Sequence, residues 1–160
     1  MTNGGPTTWL SPSAHTKLVE ELQYLTTEGR QRISERIAEA RSHGDIRENA
    51  DYDAAKNEQG LMEARIRKIQ AILDTAEVSE TVAGDTAEVG TIVTVRDDDG
   101  GEMDVLLAPQ ENKVPGMVLA SPSSPLGAAL LGASVGSTVS YEAPSGMFNV
   151  AIVAVKPFTG

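Results

Sequence analysis

The stretch YDAAKNEQGLMEARIRKIQAIL, residues 52–73, places Tyr52, Ala55, Gln59, Met62, Ile66, Ile69 and Leu73 at alternating steps of three and four. Residues so spaced share one face of a helix, and strict alternation makes the seam of a coiled coil. Only Gln59 on that seam is polar. A seam this apolar has to be covered by a second helix.

The covering helix is predicted upstream. Leu18, Leu22, Leu25, Ile33, Ile37 and Ala40 recur mostly at three- and four-residue steps, with no proline after Pro12 until well past the run. Ser11 and Pro12 read as its start, since serine caps free N–H groups and proline is tolerated at the first helical position. Gly29 falls on the stripe and weakens it locally, by about 1 kcal/mol relative to alanine. Glu28 with Arg32, and Glu63 with Arg67, stand four apart in the favourable orientation, each pair worth about 0.3–0.5 kcal/mol on an exposed face. Between the helices lies His43-Gly44-Asp45-Ile46-Arg47-Glu48-Asn49, where Gly44 can end one helix and Asn49 can cap the next. So short a join predicts an antiparallel hairpin. About 30 residues at about 1.5 Å rise make an arm of roughly 45 Å, too long and thin for a compact core, so it must project.

Downstream, across residues 74–85, the composition shifts to Gly, Val, Pro and Ser. Residues 91–96, 103–108, 117–120, 138–142 and 148–155 read as strands separated by Asp-Gly, Pro-Gly and Ser-Gly turns, and residues 125–131 as a short helix. The fold class is α+β. A flexible extension over 1–11 precedes a coiled-coil hairpin over 12–78, a linker over 79–84 and a small antiparallel β domain with one helix over 85–160. The β domain has no histidine, no cysteine and no glycine-rich phosphate loop, so it offers no chemistry of its own.

The charge balance narrows the function classes. Thirteen Lys and Arg against 23 Asp and Glu give a net charge of -10, whereas wrapping duplex DNA needs a basic surface. Independent sequence-specific DNA binding is therefore not expected, and any nucleic-acid contact is local. The absence of cysteine is compatible with a reducing cytosol. Residues 1–6 lack the basic and apolar pattern of a secretion signal, and no apolar run approaches the roughly 20 residues of a membrane span. A cytoplasmic protein is expected.

Chemistry concentrates at the turn of the hairpin. Asp45 and Glu48 are three residues apart, a spacing at which two carboxylates can point the same way. Two readings stand side by side: acids at a helix start complement its dipole, and a carboxylate pair suits a hard cation such as Mg²⁺. The end of a thin hairpin has no concave cavity of a few hundred Å³, so the pair cannot form a whole active site. It can complete one that belongs to another molecule. Arg41, Arg47 and Lys56 flank the pair, either as solvated charges or as groups that let the tip approach a nucleic-acid strand. His43 has no second histidine nearby and reads more simply as a surface or capping residue.

The run AEARSHGDIRENADYDAAK, residues 38–56, closely resembles the hairpin tip of the bacterial Gre transcript-cleavage factors. The likeness continues through Gln59-Gly60 and Glu63-Ala64-Arg65-Ile66. It resumes at Ser121, Ser124-Pro125-Leu126 and Ala129-Leu130-Leu131-Gly132, and so covers most of residues 12–158. It implies a coiled-coil amino-terminal domain and a carboxy-terminal domain similar to FK506-binding proteins. It further implies an accessory factor, not an enzyme, that docks on RNA polymerase and passes its hairpin down the secondary channel to the nascent RNA 3′ end. Asp45 and Glu48 would then help hold the second Mg²⁺ and its attacking water for cleavage of backtracked RNA. Arg41, Arg47 and Lys56 would face the RNA, with His43, Gly44, Asn49 and Tyr52 supporting the tip. Ser121, Ser123, Ser124 and Pro125 would belong to the docking surface. The factor itself is expected to be a monomer that binds no cofactor stably alone, with Mg²⁺ held only inside the polymerase complex.

The chain departs from the family pattern at Gln31, where many relatives have proline. Other departures are Ala133 and Ser137, where Lys and Asp are usual, and Ser123, commonly Asp or Asn. An alternative reading is a Gre-like inhibitor that occludes the channel without stimulating cleavage. A prolyl isomerase is a third, but Tyr141, Phe148 and Phe158 are few aromatics for a proline pocket.

Overall fold

The computed structural model describes residues 8–43, 46–79 and 84–159, with the side chains of His43 and of residues 46–49 outside that description. The chain divides into a helical unit, Thr16–Thr75, and a second unit that joins the residues before Thr16 to those after Thr75.

In the helical unit one arm runs through α1 (Pro12–Tyr24), a π-helical turn (Leu25–Gly29) and α2 (Arg30–His43); the other arm is α3 (Ile46–Asp74). Ser11 starts α1 as its sequence suggests, its Oγ accepting the Ala14 N–H at 3.1 Å. The alternating seam is the buried one. Ala55, Ile66 and Ile69 of α3 are fully buried, as are Leu18 and Ile33 on the other arm to within a few per cent. α3 has 29 residues, about 44 Å at the usual rise.

Three details differ from the sequence reading. Gly29 is not a weak point in the stripe. It is buried, and a Cβ added there would lie 3.2 Å from Met62 Sδ, so the two arms pack closely at that level and a larger residue would need the Met62 side chain to give by a few tenths of an ångström. The π turn preceding it carries two threonines that bond back along the helix, Thr26 Oγ1 to Leu22 O at 2.8 Å and Thr27 Oγ1 to Gln23 O at 2.7 Å. Such back-bonding favours a local widening of the helix. Second, α3 begins at Ile46, so Asn49 lies within its first turn and not at its N-cap position. Third, the acids of the hairpin pair across the arms. Glu63, expected to pair with Arg67, is bidentate to Arg30 at 2.9 and 3.1 Å. Glu21 and Arg65 do the same at 2.7 and 2.8 Å, and Arg36 meets Glu58. Antiparallel arms bring residues of the two helices closer than a helical turn along one of them does.

The second unit is built on a five-stranded sheet of order β5-β4-β3-β7-β6. Its strands are β3 (Thr91–Arg96), β4 (Glu102–Leu107), β5 (Val118–Ala120), β6 (Thr138–Ala143) and β7 (Gly146–Pro157), with α4 (Pro125–Leu130) between β5 and β6. All predicted strands are present, but the sheet is mixed, because β4 and β5 run parallel. The connection from β4 passes through a 3-10 turn (Gln110–Asn112), long enough to carry the chain back before it re-enters the sheet.

Residues 8–11, expected as part of a flexible extension, are built into this unit. β1 (Thr8–Leu10) pairs in parallel with β2 (Ala76–Val78), so residues 76–78 group with the sheet unit and not with the hairpin. Leu10 is fully buried. The Asn112 side chain, itself buried, accepts the Ser11 N–H at 2.8 Å and donates to the carbonyls of Trp9 at 2.9 Å and Pro109 at 3.1 Å. Residues 80–83 of the expected linker lie outside the described residues. The sheet is covered on both faces: Val93, Val95, Val105, Leu107, Val150 and Ile152 pack with Leu130 of α4, while Ile92, Leu106, Ala108 and Phe158 pack with Trp9 and Leu119. Alternate residues of β3 point to opposite sides, so both sets need cover. The only tryptophan provides part of it.

Candidate functional site

The turn of the hairpin is framed by the ends of α2 and α3, which leave only Gly44 and Asp45 between them in sequence. These two, and the side chains of His43, Arg47, Glu48 and Asn49, lie outside the described residues. The backbone of Glu48 is in the first turn of α3.

Immediately behind the turn the geometry is defined. Arg41 of α2 reaches across to Tyr52 of α3: its guanidinium carbon lies 5.6 Å from the ring centroid, and one of its N–H groups donates to the phenol oxygen at 3.4 Å. A guanidinium over an aromatic face is a favourable contact, about 0.5–1 kcal/mol where exposed. It ties the arms together close to the turn. Arg41 therefore supports the tip as well as presenting charge there, a supporting role that the sequence assigns to His43, Gly44, Asn49 and Tyr52 and not to Arg41. Lys56 is exposed, and its Nζ donates to Gln59 Oε1 at 3.0 Å on the same helix. Ala55 is fully buried one residue earlier, so α3 turns an apolar edge inward and leaves its cation facing solvent. Further back, Arg36, Glu39, Ala40 and Asp51 line a polar depression of about 240 Å³.

The cross-arm ion pairs have an electrostatic signature. Hydrogen bonding to Arg65 holds the Glu21 carboxyl below its usual range against an opposing effect of burial. Arg30 does the same for Glu63, with a smaller Coulombic contribution from Arg67, and Arg30 is raised in return. These pairs were missed in the sequence. Their signal is an acid and a base whose numbers rise on one arm as they fall on the other.

The predicted docking residues belong to the sheet unit and sit together at the start of α4. Ser124 is largely a structural residue: its Oγ accepts the Gly127 N–H at 3.1 Å, capping α4, and donates to Ser121 O at 2.7 Å. A Cβ on Gly127 would fall 1.8 Å from Ser121 O, so the turn closes only around glycine there. Ser121 and Ser123 share a hydrogen bond at 3.1 Å, and Ser123 and Pro125 are exposed. The departures at Ala133 and Ser137 fall where the backbone does the bonding. Ala133 O accepts the Ala87 N–H at 2.8 Å, and Ser137 O accepts the Ile152 N–H at 2.9 Å. The aromatics weighed for a proline pocket are spread out: Tyr141 and Phe148 stack on each other at 5.7 Å, and Phe158 is in the core.

Among the described residues, no three Asp, Glu or His side chains are grouped so as to hold a metal, and no helix is long and apolar enough to cross a membrane.

Two family models cover nearly all of the chain. Residues 8–78 match the one described as "Transcription elongation factor, N-terminal", and residues 82–157 the one described as "Transcription elongation factor, GreA/GreB, C-term". "Transcription elongation factor GreA" of Streptomyces coelicolor is 44% identical over 158 residues, covering 96% of this chain and 95% of that one. The protein of the same name from Saccharopolyspora erythraea is 46% identical over 158 residues, covering 96% of each. Among solved structures, "GreA factor homolog 1 (Gfh1)" of Thermus thermophilus is 28% identical with a TM-score of 0.45, covering 94% of this chain and 99% of that one.

Proposed function

The chain belongs to the GreA/GreB family of transcription elongation factors, and we propose on that footing that its hairpin enters the secondary channel of RNA polymerase and brings Asp45 and Glu48 to the catalytic centre. The observation that supports this most is the hairpin itself. A 29-residue helix is paired antiparallel with a second, with only Gly44 and Asp45 between the helical segments, so the carboxylate pair belongs to the end of a long rod. The end of a two-helix rod is too narrow to enclose a substrate, but it can deliver ligands.

The donor set fits the role. Two carboxylates supply hard oxygen ligands of the kind Mg²⁺ takes while keeping several waters. In a two-metal site the second ion activates water and stabilises the attacking and leaving oxygens. What this chain contributes is the placement of Asp45 and Glu48, with Arg41 and Lys56 turned to the RNA phosphates beside them and Arg47 adjoining. Arg41, held over Tyr52, keeps the two arms at fixed spacing as the tip is inserted. In this reading Ser121, Ser123 and Pro125 present the docking surface, positioned by the Ser124 cap. The protein acts as a cytoplasmic monomer that carries no metal until it is in the complex, and its activity is stimulation of the polymerase's own cleavage of backtracked RNA.

The test is a purified elongation complex stalled in the backtracked state. The factor should shorten the RNA, and Asp45→Asn or Glu48→Gln should lower the cleavage rate by about tenfold or more. Slower nucleotide addition with intact RNA would mark an occluding inhibitor instead. Wild-type cleavage by both variants would reject the metal role.

A further inference from the structure

Midway along the hairpin, well behind the tip, a groove of about 450 Å³ opens on one side where the π turn meets α3. Its floor is apolar, formed by Leu25, Ile33 and Met62, and two large apolar side chains stand open on its walls: Leu61 is 66% exposed and Tyr24 43%. Leu25 and Gly29 of the π turn line it together with Met62 of α3. An exposed leucine beside an open apolar gap on a long helix is costly to leave bare, and such patches mark contact surfaces.

The rim carries Arg32, Arg36 and Arg65 against Glu58, a net excess of positive charge. Arg36 and Arg65 line the groove but are engaged by Glu58 and Glu21, whereas Arg32 also lines it and makes no ion pair among the described residues. In a chain of net charge -10 this is a local reversal of sign. Tyrosine and arginine around an apolar anchor point are also the residue types that dominate contact energies. A second copy of the chain is a poor occupant, because two molecules of that charge repel as they approach.

We infer that the groove is a docking site for an acidic segment of RNA polymerase that inserts one apolar side chain between Tyr24 and Leu61 and presents a carboxylate to Arg32. This rests on the proposed insertion into polymerase and adds a contact independent of the tip and of the Ser121–Pro125 turn. The groove would hold the rod in one rotational setting, which a smooth coiled coil could not do.

The experiment measures the Kd of full-length factor for core RNA polymerase. Leu61→Asp should raise it about tenfold or more, the loss expected when a buried leucine contact becomes a buried charge. Arg32→Glu, an exposed change that leaves folding intact, should raise it by about three- to tenfold, and less at high salt. Val19→Asp places the same charge on an exposed apolar residue away from the groove and should leave Kd within about twofold of wild type. Wild-type affinity in both Leu61→Asp and Arg32→Glu overturns the inference while leaving polymerase binding standing. Failure of the wild-type factor itself to bind polymerase would remove that reading and this one together. Self-association through the groove, seen as a dimer in sedimentation that Leu61→Asp abolishes, would also overturn it.

Discussion

The hairpin and the sheet unit bury apolar surface in different ways. The hairpin has a single seam one side chain wide, and its outer faces are laced by Glu21–Arg65, Arg30–Glu63 and Arg36–Glu58. The sheet unit has two cores, one on each face, closed by α4 and by the residues around Trp9. A seam with exposed ion pairs makes a long, soluble rod whose interactions are local and individually weak. A sheet covered on both sides makes a compact body in which each buried group has fixed neighbours.

The largest expected break in this contrast comes from one methyl group added at Gly127, with the same change at Gly29 as its counterpart in the hairpin. Gly127→Ala sets a Cβ 1.8 Å from the Ser121 carbonyl, which is backbone and cannot step aside. A loss of about 3 kcal/mol is expected, read as an earlier denaturant transition by fluorescence of Trp9, the only tryptophan. Gly29→Ala meets the end of a flexible methionine at 3.2 Å and gains helix propensity. Its change should stay within about 1 kcal/mol on the circular dichroism of the helices.

A smaller loss sharpens the comparison inside the sheet unit. Asn112→Ala removes the amide that serves Ser11, Trp9 and Pro109. Leaving the buried Ser11 N–H without its partner and taking one bond each from the Trp9 and Pro109 carbonyls should cost about 2 kcal/mol, again by Trp9 fluorescence.

The smallest effect belongs to the ion pairs. The folded-state pKa of Glu21 and of Glu63 is lowered by Arg65 and Arg30. Their stabilisation is therefore fully present above the unfolded carboxylate value of about 4.3 and is lost as pH falls through the lower folded value. Helix melting should decline across that acid range, and Glu21→Gln with Glu63→Gln should flatten the decline. Because both pairs are largely exposed, added salt should blunt it.

Much of the architecture could be read along the chain. The steps of three and four at residues 52–73 needed only one helix partner, and the arm that supplies it was equally periodic. The strands after residue 90 carried their own turn signals, so their positions followed from local chemistry. Less legible was whatever joins distant segments. Trp9 looked like part of a loose extension, because nothing near it in sequence shows that Ile92, Leu106 and Phe158 need a cover. The mixed sheet was hidden too, since strand direction depends on the path of the β4–β5 connection. At the candidate site, residue types and order pointed to Asp45 and Glu48, but the bond between Arg41 and Tyr52 spans the two arms and has no signature in either.

Taken alone, the order of residues determined the helical periods, the turn, the strand segments and the family, because these depend on neighbours a few positions apart. Tertiary structure decided which charge meets which, why Gly127 must be glycine, and where a groove opens beside Leu61. Each of these is a contact between atoms that the backbone brings together from far along the chain, and the strength of such a contact depends on distance in space.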